Sequence, residues 1–212
     1  GHFIVYIDGD PVIIDAGVGP YTGKTFSSER YTIWTMQSAY HSLPTINGVM
    51  QGSGLEYAAR DASSDSDDEK STFSLDIAGA YPPEANLQTW QRTIVLTRGQ
   101  EVALRDRYVL TQPNQKVQLS LLTPCFVTLA EGRIALGKRA LSDDRSAGEA
   151  CIHFDAHLMT VEVERKELVE GKAHRCWADQ VNRILFTLTS QEDDGEIAIR
   201  ITRPDQKRLK GC

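Results

Sequence analysis

The chain has 212 residues, 41% hydrophobic and 25% charged, with a formal net charge of −6 and five histidines. At that length it can bury roughly 70% of its unfolded surface, so no disulfide or metal staple is needed for folding. No apolar run approaches the roughly 18 residues of a membrane span, and an acidic chain without a basic stripe argues against nucleic-acid binding.

The opening Gly1-His2-Phe3-Ile4-Val5-Tyr6 starts mid-strand, with no charged-then-apolar leader before it. It reads as a piece of a longer protein, which leaves cytoplasm, periplasm and secretion open. An opening hairpin is expected from Phe3 to Tyr6 and Val12 to Ile14, turning at Asp8-Gly9-Asp10-Pro11, because Asp-Gly is a strong turn signal. Period-two alternation recurs over residues 72–77, 90–96, 115–122, 158–164, 183–189 and 196–202. Turn clusters separate these runs at Arg98-Gly99, Gln112-Pro113-Asn114, Glu131-Gly132, Ser142-Asp143-Asp144, Glu170-Gly171 and Asp193-Asp194-Gly195. Short strands at such spacing, with no sustained helical period, predict an all-β fold: one two-layer antiparallel β-sandwich over residues 1–212.

Residues 17–54 break the rhythm. They are rich in Gly, Ser, Thr and aromatics, too long for a plain connection and too aromatic for disorder. This segment is expected to be an ordered excursion at one end of the sandwich and the working surface. Residues 61–70 (DASSDSDDEK) carry five acidic side chains and one basic one, and are expected to form a solvated, mobile hairpin tip. They lack the glycine turn of a calcium loop. Cys125, Cys151, Cys176 and Cys212 contain no C-x-x-C pattern, which excludes a zinc ribbon and leaves buried or incidental thiols.

Side chains capable of chemistry gather near the start. Asp15 ends the second strand, just before Ala16-Gly17, and His41 lies in Tyr40-His41-Ser42 with Arg30 and Tyr31 between. If Leu43-Pro44-Thr45-Ile46 returns as a strand beside the hairpin, Asp15 and His41 converge across 26 residues of sequence. A carboxylate and an imidazole can form part of a metal site, one or two ligands short of a zinc centre, or a plain hydrogen bond. His153 and His157 fall in a strand followed by a turn, where they do not share a face as helical neighbours do. Trp34, Trp90 and Trp177 read as core or loop-bracing residues.

The run Gly1 to Gly17, followed by Tyr40-His41 and Ile46-Asn47-Gly48, resembles the C-terminal β-sandwich domain of the heparinase II/III-like polysaccharide lyases. Ala80-Tyr81-Pro82, Arg92-Thr93 and Arg105-Asp106-Arg107-Tyr108 fit the same pattern. The family's His-x-His-Asn-Asp segment would fall just before Gly1, and Ser42 stands where the family commonly has Asn. The resemblance implies a super-sandwich fold and a parent enzyme that cleaves an acidic, uronic-acid-containing polysaccharide by β-elimination. An N-terminal α/α-toroid would carry the catalytic tyrosine. The sandwich would hold zinc through Asp15, His41 and a histidine of the upstream segment. No catalytic residue of the implied set lies in this chain, so alone it is expected to be inactive. Arg30 and Tyr40 are the candidates for a substrate carboxylate and hydroxyl, since a bidentate guanidinium suits a uronate. Tyr21 and His2 join them as candidate substrate contacts, although a surface histidine at a strand end is the favoured reading of His2, and Arg30 could equally brace the loop. The competing reading is a carbohydrate-binding or interaction sandwich that makes no chemical change.

Overall fold

The computed structural model describes residues 1–204 except 114, 143 and 191. Asn114 and Asp143, named in two expected turns, and Cys212 lie outside the described residues. A two-stranded hairpin pairs β1 (Val5–Ile7) with β2 (Asp10–Ile13). Its turn places Asp8 and Gly9 at positive φ, 54° and 93°, as an Asp-Gly hairpin turn requires.

The larger sheet contains β4 (Arg60–Ser66), β5 (Lys70–Asp76), β6 (Leu87–Thr97) and β7 (Glu101–Leu110). It continues through β9 (Phe126–Ala130), β10 (Arg133–Gly137), β11 (Ala150–Phe154) and β14 (Asp194–Thr202). The spatial order of its eight strands is β4-β5-β6-β7-β14-β11-β10-β9. The smaller sheet has the order β12-β13-β8-β3, from β3 (Pro44–Ile46), β8 (Val117–Thr123), β12 (Met159–Glu167) and β13 (Gln180–Leu188). All these strand pairs are antiparallel. The fold is the expected all-β sandwich.

Period-two alternation decides which side chains enter the core. On β14, Ile197, Ile199 and Ile201 are buried while Ala198 and Arg200 face solvent. Ile184 and Phe186 of β13 answer from the other sheet, and the Phe154 and Phe186 rings meet across the layers with centroids 5.5 Å apart. The inward set of β6 and β7 departs from the apolar rule. Trp90 and Arg92 point in from one strand, Asp106 and Tyr108 from the other, and each pair lies directly opposite in the ladder. Trp90 stacks on Tyr108 at 5.1 Å, and Arg92 and Asp106 form a wholly buried ion pair.

The excursion folds into four short 3₁₀ turns, Gly23–Phe26, Ser28–Thr32, Trp34–Met36 and Ser38–Tyr40, before β3. Side chains supply the backbone partners that such short turns lack. Thr25 Oγ1 accepts from the Thr22 amide at 2.9 Å, Ser27 Oγ from the Glu29 amide at 3.1 Å, and the Gln37 amide group donates to Tyr31 O at 2.9 Å. The excursion also covers the outer face of the smaller sheet. Tyr40 packs against Trp34 and lies under the Arg183 guanidinium, 4.5 Å from its ring centroid, and Arg183 donates to Ser120 Oγ of β8. Covered on both sides, β8 buries consecutive residues from Leu119 to Thr123.

Three features depart from the sequence expectations. The acidic run is mostly strand: residues 60–66 form β4, and only Asp67, Asp68 and Glu69 make the tip. β4 is an edge strand exposed on both faces. It therefore has no hydrophobic alternation to betray it and is held by its ladder to β5. A short helix, α1 (Gly171–Trp177), begins at the expected Glu170-Gly171 turn; at seven residues it is too short to show a helical period. Strands β7, β9, β10 and β11 were not among the alternating runs. Among the described residues, no helix is long and apolar enough to cross a membrane.

Cys125 and Cys151 are buried and Cys176 is half-buried, all as free thiols. Burial pushes the Cys125 thiol up to about 11, so almost no reactive thiolate forms near neutral pH. Iodoacetamide on the native protein at mildly alkaline pH should therefore leave Cys125 unmodified until denaturant is added. Peptide mass spectrometry showing rapid native labelling at Cys125 would contradict the burial.

Candidate functional site

Asp15 directly follows the hairpin, where the Ile14 amide donates to Leu122 O at 2.9 Å and ties the strand end to β8. The chain then turns at Gly17, φ 73°, and the Gly17 amide donates to Asp15 Oδ1 at 2.7 Å. This leaves Oδ2 free to face the two histidines. His41 follows the last 3₁₀ turn, its amide donating to Ser38 O at 3.1 Å. His2 precedes β1. The structure brings all three together: Asp15 Oδ2 lies 3.4 Å from His2 Nε2 and 3.5 Å from His41 Nε2. The two imidazoles stand edge to face with centroids 5.1 Å apart.

Hydrogen bonds at the far ring atoms set the two tautomers. His41 Nδ1 sits 2.8 Å from Gln37 O; a carbonyl only accepts, so Nδ1 carries a proton, and Nε2 faces Asp15 with an N–H when the ring is charged and with a lone pair when it is neutral. His2 is the reverse. Its Nδ1 accepts from the Ser42 amide at 3.0 Å, so its ring proton is on Nε2, a buried atom with no well-formed hydrogen bond. The facing imidazoles of His2 and His41, with the Gly17 amide, hold the Asp15 carboxyl well below the usual carboxylate range. Asp15 in turn raises the pKa of His41, against the opposing effect of burial, and the Gln37 carbonyl adds to the rise.

His41 opens onto a cavity of about 420 Å³ whose wall includes Tyr31, Met36, Gln37, Ser38 and Gln51. Gln51 is held there by its amide, which donates to Ser38 Oγ at 2.9 Å. Arg30 is exposed near this opening, its guanidinium 5.5 Å from the centroid of the wall residue Tyr31. Arg30 has no carboxylate partner among the described residues. Two other candidates sit elsewhere. Tyr40 is enclosed by Trp34, Arg183 and Lys166 on the outer face of the smaller sheet. Tyr21 is 58% exposed, stacked on Phe26 with Lys172 over its ring. Neither lines the cavity. Sequence reasoning passed over Gln37 and Gln51, because an amide side chain in a loop carries no signal until the loop's course is known.

The donors suit a metal ion in part. His41 presents a lone pair on Nε2 while its other nitrogen donates to a backbone carbonyl, the usual outer support of a metal-bound histidine, and Asp15 adds a carboxylate oxygen. His2, with its proton on Nε2, is not arranged as a third ligand. Among the described residues, no group of three or more His, Cys, Asp or Glu side chains is set to hold a metal.

The family profile described as Heparinase II/III-like, C-terminal, matches residues 1–202. No curated protein matches the chain. Among solved structures, it is similar to the heparan sulfate lyase HepC from Pedobacter heparinus, with a TM-score of 0.71 and 16% identity over 98% of this chain and 31% of that one. It is also similar to a heparinase III, the BT4657 gene product, with a TM-score of 0.69 and 13% identity over 98% and 30% of the two chains. A further heparinase III gives 0.65 and 14% over 96% and 29%. The chain thus spans about 30% of the length of these structures, and at such identities they establish the shared fold. The profile match over nearly the whole chain settles descent: the chain belongs to the heparinase II/III-like C-terminal domain family.

Proposed function

We propose that this sandwich is one wall of the active cleft of a polysaccharide lyase that cleaves uronic-acid-containing glycans by β-elimination. The observation that carries this reading is the Asp15–His41 pair, 3.5 Å apart, at the edge of a cavity with an exposed arginine near its opening that pairs with no carboxylate among the described residues. The family membership and the lyase names of the structural neighbours support it. β-Elimination removes the proton at C5 of the uronate and expels the O4 substituent. It needs the adjoining carboxylate neutralised, a base at C5 and an acid at the leaving oxygen. In this reading Arg30 takes the first of these roles, with Tyr31 beside it as a surface for a sugar ring. The base and acid come from a second domain, an N-terminal α/α-toroid, which closes the cleft from the other side. A zinc ion held by Asp15 Oδ2 and His41 Nε2, with a further donor from outside the chain, would add positive charge to the cleft floor. The surrounding residues orient the pair: Gln37 fixes the His41 tautomer and Gly17 the Asp15 carboxylate.

The test compares the purified 212-residue chain with the same sandwich joined to its toroid. Both are given heparan sulfate, hyaluronan, chondroitin and alginate, and the ultraviolet absorbance of the unsaturated uronate is followed. Product is expected only from the joined protein. Product from the chain alone would place the base among Tyr21, Tyr31, Tyr40 and His41. Glycan binding without product from the joined protein would replace the lyase reading with a carbohydrate-binding one.

A further inference from the structure

Two charged side chains outside the cluster act on the backbone that carries it. Arg92 and Asp106 are fully buried and face each other across β6 and β7. Arg92 Nε donates to Asp106 Oδ1 at 2.8 Å and Nη2 to Oδ2 at 2.5 Å, a bidentate geometry that fixes the guanidinium plane. The remaining terminal nitrogen, Nη1, is then aimed at two main-chain carbonyls, Gly1 O at 2.7 Å and Ser42 O at 2.5 Å. Gly1 precedes His2 and Ser42 follows His41. Ser42 is held at three points: its carbonyl on Arg92, its hydroxyl on Phe3 O at 2.9 Å and its amide on His2 Nδ1. One guanidinium therefore clamps together two chain segments 41 residues apart, each adjoining a histidine of the cluster.

We propose that the Arg92–Asp106 pair is a positioning device for the His2–Asp15–His41 cluster: Asp106 aims Arg92, and Arg92 fixes the two peptides that set the histidine rings and the His2 tautomer. This rests on the reading of that cluster as the working site, although its first readout does not depend on any reaction. A buried ion pair kept only for folding can be replaced by apolar residues of similar volume with little loss of stability. A positioning pair cannot, because no apolar side chain donates to the Gly1 and Ser42 carbonyls.

The decisive variant is therefore the double replacement Arg92→Met with Asp106→Leu in the 212-residue chain, compared with the parent by thermal melting and by histidine ¹⁵N–¹H NMR under alkaline conditions. The parent should show His2 protonated on Nε2 and His41 on Nδ1, with cross-peaks between the two rings. In the folded double variant the His2 pattern should average between tautomers and the inter-ring cross-peaks should weaken severalfold. A folded double variant with the parent's pattern overturns the proposal. A double variant that does not fold makes the pair a folding element and overturns it as well, as would a parent with both tautomers mixed. Parent-like tautomers in a toroid-joined protein without lyase activity would sink the functional reading and leave the positioning role standing.

Discussion

Asp106→Leu alone should lower the free energy of unfolding by about 3–5 kcal/mol, and adding Arg92→Met to it should restore part of that loss. The asymmetry follows from burial. Neither side chain has measurable exposure, so removing the carboxylate strands a guanidinium that water cannot reach. Arg92 would keep its bonds to the Gly1 and Ser42 carbonyls, but those neutral acceptors do not balance its charge. Removing both partners leaves two carbonyls short of a donor, at about 1–3 kcal/mol each until relaxation or water entry lessens it, which is why the recovery is partial. Urea unfolding of the parent, both single variants and the double variant gives the coupling energy directly. Additive losses would show that the two charges do not depend on each other.

The sandwich was legible in the sequence wherever one face of a strand meets solvent and the other the core. β14 states this plainly, with Ile197, Ile199 and Ile201 alternating with Ala198 and Arg200. β7 was missed because its inward positions include Asp106, a charge that reads as solvent-facing until Arg92 is found opposite. β4 was missed for the opposite reason: an edge strand wet on both faces needs no alternation. The excursion was recognisable as ordered from its aromatic content, but its course was not, because 3₁₀ turns of three to five residues are specified by local side-chain bonds such as those of Ser27 and Thr25. The approach of Asp15 to His41 could be anticipated from the hairpin end and the returning β3. The place of Tyr40 could not. Its neighbours Lys166 and Arg183 lie more than 120 residues away in sequence and reach it only because the excursion folds back over the smaller sheet.

Ser42 ties the start of the chain to the end of the excursion. Its amide, hydroxyl and carbonyl are all engaged, with His2, Phe3 and Arg92. An asparagine here would offer a longer side chain within a residue position that is fully buried. The small hydroxyl suits a packing in which His2 lies against the Ser42 amide.

Zinc affinity should rise about tenfold per pH unit while His41 is protonated and level off once it is neutral, because the ion must displace one proton from Nε2. The sign follows from the charges at the site. Asp15 raises the pKa of His41, so protons compete with the metal over a wider range than at an ordinary histidine. Asp15 itself is held well below the usual carboxylate range, remains ionised throughout and adds no slope of its own. The same pairing stabilises the metal-free fold: the contribution of His41 is complete below about pH 6.5, its unfolded value, and is lost as pH rises through its raised folded value. With the Asp15 side chain 42% exposed, screening limits that contribution to about 1 kcal/mol or less. Asp15→Asn removes both a ligand and the charge that retains the proton. It should weaken zinc binding by at least the roughly 10–100-fold that follows loss of an outer-sphere partner, and should also flatten the pH dependence of stability. Titration calorimetry in several buffers at each pH measures affinity and proton release together. Affinity that ignores pH, or that survives Asp15→Asn unchanged, would move any bound zinc away from this pair. The cluster would then remain a hydrogen-bonded brace between the hairpin end and the excursion.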